Sequence, residues 1–378
     1  MHLDLHLLPD KQISVRCCID VCQPTFSFVL LDSLKITSFR NNSALLTTVK
    51  SEPCRLPFRP QMIKYTLSHL QSGQLSFDYA GSLRGFFFIA EKSLSHFSFY
   101  NAWYPMGFDT DSNYHVTLHH DNTQFLLNGT YDAEHLCWQY KAHEQSFSDC
   151  NILLYDPASC FALQTDWGQM LFFNPQYQAI SAVFAEKYAA IVQFYQAIYG
   201  HSPAYKRTIV FLPPDKNAPG AYIRDDLIVF GDTYPDERRV LHILAHELGH
   251  AYATGADTES WEDWLNETHA EWSALLFALD NSPDLFDCLI SELQSLHAHS
   301  TVCLRPKDDK RPQDVHTAGT WLYYNLYQQY GRSAIEMLLR TFYQLTSKTT
   351  ASLITAIRPH SPEIATAIQH AAKLSTDN

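Results

Sequence analysis

The sequence predicts an α+β protein in which a β-rich N-terminal domain, residues 1–155, is followed by a domain of mixed sheet and helices, residues 156–378. Short runs of alternating apolar and polar residues, separated by turn-forming residues, fill the first part and are typical of an antiparallel β-sandwich. Longer segments with apolar residues at helical spacing fill the second part. A chain of 378 residues is long enough for two such domains.

In the first part, alternation is clearest from Ile13 to Val21. No residue there is assigned a catalytic role: His119 and His120 are interpreted as a strand end, and His96 as a packed or surface residue. The other strands predicted in this part are Phe26–Leu31, Leu75–Tyr79, Phe86–Ile89, His115–Leu118, Gln124–Leu127 and His135–Tyr140.

In the second part, Asn174-Pro175 is a good helix start and Gly200 a good helix stop. Residues 304–313 are interpreted as a charged, solvated loop, although its basic side chains could instead contact a substrate. Strands are predicted at Arg207–Leu212 and Leu227–Phe230, and further helices at 284–297, from His316 to Tyr330 and at Ser333–Leu345.

A helix predicted between Asp232-Thr233 and Gly255 carries the motif HELGH, which begins at His246. Residues i and i+4 share one helix face, so His246 and His250 can offer two imidazole nitrogens to one metal ion. A catalytic zinc takes three protein ligands and keeps a fourth position for water. Glu247 is then placed to reach that water. We therefore expect one Zn²⁺ per chain.

The next predicted helix offers the third ligand, because Glu267 and Glu271 again lie at positions i and i+4. Glu267 is expected on the metal, and Glu271 is expected to accept a hydrogen bond from the outer nitrogen of a ligand histidine. His269 is an alternative ligand, although it lies on another side of the helix from both glutamates. The competing interpretation is a chance motif on a non-catalytic helix.

Composition excludes several classes of partner. The formal net charge is −13 with no long basic run, which argues against nucleic acid. No apolar stretch approaches the roughly 20 residues needed to span a bilayer. The start of the chain lacks the pattern of a signal peptide, and the nine cysteines are scattered without a C-x-x-C pair. We expect reduced thiols and a cytoplasmic protein.

The HELGH and WLNE segments resemble the zinc site of the gluzincin metallopeptidases, and most closely that of the aminopeptidase N and leukotriene hydrolase family. The resemblance implies a thermolysin-like catalytic domain acting on peptides. It implies that His246, His250 and Glu267 bind zinc, that Glu247 is the general base, and that Glu271 supports a ligand.

Two further segments resemble that family. Gly220-Ala221-Tyr222-Ile223-Arg224 matches the strand that runs along the substrate, and His316 stands where the family has a tyrosine that steadies the transition state. The resemblance implies that His316 donates to the oxyanion. Tyr222 is expected to line the cleft, and Arg224 either to bind a substrate carboxylate or carbonyl or to form a surface salt bridge.

The sequence also departs from the family. Ile223 replaces the glutamate that binds the free amino group of the substrate, and Asp225, Asp226 or Glu262 could take over that task. The segment between the second histidine and Glu267 is shorter than in the family, and no counterpart of its large C-terminal helical domain is recognised, which predicts a more open cleft.

Zinc peptidase, exo- or endo-acting, is therefore the leading function. The alternatives are a zinc hydrolase of a non-peptide bond, since leukotriene hydrolases can open an epoxide, and an inert binding protein on the same scaffold.

Overall fold

A computed structural model gives the fold of the chain. It describes residues 1–56, 59–107, 114–120, 123–141, 150–201, 207–214, 218, 220–224, 227–231, 236–298, 303–312 and 314–373.

The first part is built from strands. They are β1 (His2–Leu8), β2 (Gln12–Val21), β3 (Thr25–Leu31), β4 (Lys35–Asn41), β5 (Ala44–Leu45), β6 (Val49–Cys54), β7 (Met62–Ser68), β8 (Gly73–Ser82), β9 (Ile89–Ala90), β10 (Leu94–Phe97), β11 (Met106–Gly107), β12 (His115–His119), β13 (Phe125–Leu126), β14 (Thr130–Asp132), β15 (Cys137–Lys141) and β16 (Ile152–Tyr155).

Two of its sheets enclose the N-terminal core. The larger has the order β14-β15-β12-β1-β2-β8-β4-β5, and the smaller has the order β11-β3-β7-β6. Alternate residues along each strand point inward, so Leu3, Leu5 and Val15 are almost fully buried. Phe28 of β3 stacks on Phe77 of β8 with ring centroids 5.0 Å apart, which joins the two sheets across this core.

The second part contains a five-stranded sheet. Its strands are β17 (Phe161–Thr165), β18 (Gly168–Phe172), β19 (Arg207–Phe211), β20 (Ala221–Arg224) and β21 (Leu227–Phe230), in the order β17-β18-β19-β21-β20. The three central strands are parallel and their residues are mostly buried, whereas both edge strands run antiparallel to their neighbours. Burial of both faces of β19 and β21 explains their unbroken apolar sequences.

Helices cover this sheet and then form a bundle of their own. They are α1 (Pro175–Gln178), α2 (Ser181–Tyr199), α3 (Glu237–Gly249), α4 (Trp264–Asn281), α5 (Pro283–Ala298), α6 (Val315–Tyr330), α7 (Arg332–Gln344), α8 (Thr350–Ile357) and α9 (Pro362–Ala371). None of the helices that the structure describes has the length and apolar content that a membrane span requires.

The two parts share a hydrophobic interface. A third sheet of the N-terminal part, with the order β13-β16-β10-β9, packs on the five-stranded sheet. Phe87 and Leu153 from the first part are buried there with Leu171, Val210 and Val229 from the second. The predicted division after residue 155 falls between β16 and β17 and stays a prediction, because this common core joins the two sides.

The coarse α+β architecture agrees with the sequence, and several local predictions were wrong. Strands β17 and β18 were not predicted, and the helix expected up to Gly200 is split into α1 and α2. Only Ile89 of the predicted strand Phe86–Ile89 is in a strand, because Phe87 has a φ of 56°, which is incompatible with extended backbone. Helix α3 ends at Gly249 rather than near Gly255. The predicted start at Asp232-Thr233 lies outside the described residues.

His96 is a fully buried histidine at the interface of the two parts. Its Nδ1 lies 2.6 Å from the carbonyl oxygen of Phe87, and its Nε2 lies 3.0 Å from the hydroxyl of Tyr222. Burial lowers the pKa of His96 to about 4, and the hydrogen bond to Phe87 opposes that change only in part. The ring is therefore neutral in the folded protein near pH 7.

Acid should destabilise the fold through His96. Between its ordinary pKa of 6.5 and about 4, the unfolded chain binds a proton at His96 that the folded chain does not. The free energy of unfolding is therefore unaffected by protonation of His96 above pH 6.5 and decreases as the pH falls from 6.5 toward 4. From pH 7 to pH 5 the loss attributable to His96 should be about 2 kcal/mol in urea unfolding. His96→Gln should remove this share of the pH dependence; an identical pH slope in variant and parent would contradict the assignment.

Candidate metal centre

Helix α3 supplies the two motif histidines. Asp236 caps its N-terminus by accepting a hydrogen bond from a backbone N–H of the first turn. Val240, Leu244 and Leu248 are buried in the core beside the five-stranded sheet. The remaining side of the helix carries the two imidazoles, whose ring centroids are 4.8 Å apart.

Helix α4 brings carboxylates to these histidines because it crosses α3 at close range. A Cβ on Gly249 would lie 2.9 Å from the carbonyl oxygen of Ala270, so only glycine permits this approach. Asn266 fixes the start of α4: its side-chain amide donates to Asp263 and to the carbonyl oxygen of Ala256, and its Oδ1 accepts from the backbone N–H of Ala256. Glu267 follows on the face of α4 that meets the histidines.

Three atoms with lone pairs converge at one point. The Nε2 atoms of His246 and His250 are 3.2 Å apart, and each lies 3.5 Å from Oε2 of Glu267. This carboxylate oxygen is buried and makes no hydrogen bond of acceptable geometry with any described residue. A buried carboxylate oxygen facing two imidazole nitrogens is the donor set that zinc prefers, so the residues fit a zinc ion.

The outer nitrogens of both rings are already engaged. Nδ1 of His246 lies 2.8 Å from Glu271, and Nδ1 of His250 lies 3.2 Å from the carbonyl oxygen of Ala253. With Nδ1–H donating, each Nε2 keeps its lone pair for a metal. The other Glu271 oxygen lies 3.0 Å from Nε2 of His242. Burial alone would raise the pKa of Glu271, but His242 and His246 lower it well below its ordinary value.

Arg311 contacts Glu267, the expected third ligand, from the other side. Its Nε donates to Asp263 over 2.6 Å, and its Nη2 lies 3.4 Å from Oε1 of Glu267. The side chain of Arg311 is only 9% exposed. The interpretation of residues 304–313 as a solvated loop was therefore wrong for Arg311, which is buried because two carboxylates compensate its charge. Burial alone would raise the pKa of Glu267, but the facing His316 and His250 lower it well below its ordinary value.

The proposed base and oxyanion donor both lie at this centre. Glu247 is 6% exposed and adjoins the first ligand on α3. His316, on the first turn of α6, places its Nδ1 3.1 Å from Oε2 of Glu267. Helix α6 comes this close to α4 because Gly319 faces Thr268, whose hydroxyl oxygen a Cβ would approach to 1.9 Å.

Two alternative residues are placed elsewhere. His269 is fully buried on the opposite side of α4, with its ring nitrogens near the carbonyl oxygen of Leu265 and the hydroxyl of Tyr323. It is therefore not the third ligand. Glu262 accepts hydrogen bonds from the backbone and hydroxyl of Thr350, so it does not serve as the amine anchor. Asp225 and Asp226 lie outside the described residues.

The predicted substrate strand is β20, an edge strand of the five-stranded sheet. Gly220 precedes it, and Ala221 and Ile223 point toward the core beside α3. The expectation that Tyr222 lines the cleft was wrong: its ring is 3% exposed and its hydroxyl lies 3.0 Å from Asn151. Alternate residues of a strand face opposite sides, so Tyr222 turns into the interface with the N-terminal part.

Arg224 also faces the N-terminal part. Its guanidinium carbon lies 4.1 Å from the ring centroid of Phe99, a cation–π distance. The neighbouring Tyr100 packs against Phe99 with ring centroids 4.0 Å apart. Burial raises the pKa of Tyr100 to about 12; Arg224 lowers it in part and Glu247 adds to the rise. The N-terminal part therefore forms one wall near the metal centre.

Neither a known protein family nor a curated protein matches the sequence. Native yeast LTA4 hydrolase has a similar structure, with a TM-score of 0.67 and 13% identity, over 98% of this chain and 65% of that chain. The M1 zinc metallopeptidase from Deinococcus radiodurans gives a TM-score of 0.65 and 15% identity, over 98% of this chain and 93% of that chain. A mutant of the Deinococcus radiodurans enzyme bound to a Tyr-Ser-Ala substrate has a TM-score of 0.63 and 14% identity, over 98% of this chain and 93% of that chain.

These similarities show that the chain has the fold of zinc metallopeptidases of the M1 type and of LTA4 hydrolase. The resemblance inferred from HELGH and WLNE is thereby confirmed at the level of the fold. This chain spans less than two thirds of the yeast enzyme, so the activity of that enzyme is not established for it.

Sequence reasoning missed three residues of this centre. His242 had a detectable signal, since His242, His246 and His250 follow each other at four-residue intervals on one helix. The sequence carries no signal for Arg311, because a buried arginine in a charged loop cannot be distinguished from a solvated one by sequence alone. Tyr100 comes from a distant segment, and only the packing of the two parts brings it near Glu247.

Glu271 should control zinc affinity without being a ligand. Glu271→Gln weakens the hydrogen bond that fixes the ring of His246, so zinc affinity should fall by about 10- to 100-fold at unchanged stoichiometry. Glu267→Ala, which removes the expected third ligand, should lower zinc affinity further. Competition with a chromogenic chelator measures both. Glu336→Gln, which alters a carboxylate in ion pairs on α7, is the control. Equal affinities for Glu267→Ala and the parent would place the third ligand elsewhere.

Proposed function

We propose that the chain is a zinc-dependent metallopeptidase that holds one zinc ion with His246, His250 and Glu267. The observation that carries this proposal is the buried oxygen of Glu267, which lies 3.5 Å from the Nε2 atoms of His246 and His250 and 3.1 Å from Nδ1 of His316 but makes no hydrogen bond of acceptable geometry with a described residue. Burying a charged carboxylate oxygen without a hydrogen bond raises the free energy of the folded protein unless a cation binds to it. The fold shared with M1 zinc metallopeptidases supports the same conclusion.

Bound zinc would supply Lewis acidity, polarising a scissile carbonyl and acidifying a water molecule. Glu247 acts as general base: its carboxylate accepts the proton of the attacking water and then delivers it to the leaving nitrogen. Burial of this carboxylate in the wall of the centre strengthens its interaction with the developing charge.

His316 acts as donor to the oxyanion. Its side chain is 52% exposed, so it lies at the open rim of the centre rather than in the core. Its Nδ1 lies 3.1 Å from Oε2 of Glu267, and this closeness to the expected zinc ligands supports a role as donor to a carbonyl that would develop negative charge there. Desolvation lowers the pKa of His316, but the carboxylate of Glu267 outweighs it and raises this pKa above its ordinary value, and the protonated ring can donate from both nitrogens.

The substrate binds along β20. This strand pairs with β21 on one side, and no described strand pairs with its other edge. An extended peptide can add to such an edge through main-chain hydrogen bonds from Ala221 onward, since the carbonyl oxygen of Gly220 already accepts a hydrogen bond from the backbone N–H of Gly231. Because Ile223 replaces a carboxylate and Arg224 adds a cation, this strand does not favour a free amino terminus. We therefore propose that internal or N-terminally blocked peptide bonds are cleaved.

Glu247→Gln should abolish most of the activity while leaving zinc bound. Loss of the general base should lower kcat by about 100-fold to 10,000-fold, because glutamine cannot accept the proton. Hydrolysis of a peptide library by zinc-loaded protein, followed by mass spectrometry, measures the loss. Glu186→Gln, which alters an exposed carboxylate, should have no effect. Full activity in Glu247→Gln would refute the assigned base.

Ile223 should determine the response to a free amino terminus. The parent should cleave an acetylated peptide at least as well as its free counterpart. Ile223→Glu should shift the ratio of kcat/KM toward the free peptide by about tenfold or more, equivalent to about 1.4 kcal/mol of ion pairing. Ile223→Gln, similar in shape but uncharged, is the matched control.

The same comparison distinguishes the remaining functions. Removal of single residues from only the free peptide by the parent would mean an aminopeptidase with another amine anchor. Cleavage of neither peptide by zinc-loaded parent would favour a non-peptide substrate or an inert binding protein.

A further inference from the structure

A second group of metal-binding side chains lies on the outer face of the eight-stranded sheet, away from the centre described above. Along β1, Leu3 and Leu5 point into the core, so the alternate residues Asp4 and His6 point outward. Strand β12 runs parallel to β1 and places His119 directly opposite His6. The three polar side chains thus meet on one surface.

Their geometry converges on one carboxylate oxygen. Nε2 of His119 lies 2.5 Å from Oδ1 of Asp4, and Nε2 of His6 lies 3.7 Å from the same atom. One ligand atom from each side chain lies within 4.8 Å of the other two. The two imidazoles are stacked with centroids 4.2 Å apart and planes 5° apart. Oδ1 of Asp4 is buried and makes no hydrogen bond of acceptable geometry with a described residue.

We propose that Asp4, His6 and His119 bind a divalent transition-metal ion. Two imidazole nitrogens and one carboxylate oxygen suit zinc, nickel or copper, and harder ions such as magnesium prefer oxygen ligands alone. The side chains of His6 and His119 are 52% and 35% exposed, which leaves further coordination positions open to water.

An ordinary histidine–carboxylate pair explains this group less well. Elsewhere on the surface, His135 and Asp132 form such a pair with a hydrogen bond of 2.8 Å. In the group on β1 and β12, two parallel imidazoles share a single carboxylate. Protonation of both rings would place two like charges face to face, and one carboxylate cannot neutralise both. A divalent cation satisfies both nitrogens and the shared carboxylate oxygen together.

Binding would stabilise the junction of β1 and β12. Within the described eight-stranded sheet this is the parallel pair, and it connects β14-β15-β12 to the remaining strands. An ion held by side chains from both strands binds only when the two are paired, so it stabilises the folded state by mass action. The group contains no residue of the proposed catalytic centre.

The test uses the full chain without an affinity tag and with Ni²⁺ as probe. In a background of His246→Ala and His250→Ala, which disables the central site, dialysis and metal analysis should find one nickel per chain. Added Ni²⁺ should raise Tm by about 3 °C or more. Adding His119→Ala should abolish both effects, and adding His135→Ala instead should change neither. His119→Ala alone should leave peptide hydrolysis by the zinc-loaded protein unchanged.

Nickel binding that persists after His119→Ala, or no nickel binding in the His246→Ala, His250→Ala background, would overturn the proposal. If that background does not fold, the chain with its natural histidines is first loaded with one equivalent of zinc. It should then bind a further nickel with Kd at least tenfold lower than that of its His119→Ala and Asp4→Asn variants. Equal nickel affinities of this protein and the two variants would also overturn the proposal.

Discussion

The close crossing of α3 and α4 is the constraint on which the candidate centre depends. Neither helix carries a complete site, because the two imidazoles come from one and the carboxylates from the other. The side chains meet only because Gly249 lets the backbone of α4 approach to a distance that a Cβ would prevent. A second small residue, Gly319, brings α6 and His316 to the same place. Helix packing thereby determines the geometry of the site.

Charge at this crossing is compensated only in part by the protein's own residues. Glu267 and Asp263 share Arg311, and Glu271 is shared by His242 and His246. Buried carboxylates without such partners would take up protons and lose their value as ligands. Because burial and ion pairing act in opposite directions on their pKa values, the partners decide the outcome, and both glutamates stay ionised. The supporting residues are as necessary to a cation site as the ligands.

The sequence predicted what depends on local spacing and missed what depends on packing. The i, i+4 spacing of HELGH and of Glu267 with Glu271 placed these residues on their helix faces, and α5, α6 and α7 have bounds within two residues of those expected. Strands β17 and β18 form a hairpin across residues 166–167, a local signal that was overlooked, and only the pairing of β18 with β19 joins distant segments. The inward turn of Tyr222 was missed because the side that β20 presents to the N-terminal part is not encoded in its four residues. Asp4 and His119 lie far apart in sequence, so only the register of β1 and β12 brings them together.

The β-rich part carries no catalytic motif, but it contributes to the structure around the candidate centre. It contributes Phe99 and Tyr100 to the wall near Glu247, and its third sheet covers one face of the five-stranded sheet. Arg224 packs on Phe99 at the end of the strand proposed to bind the substrate. A change in the packing of the two parts would therefore move one wall of the cleft relative to α3. Since buried contacts between the parts are apolar and close-packed, the proposed selectivity for the end of a peptide would depend on both the wall and the helices.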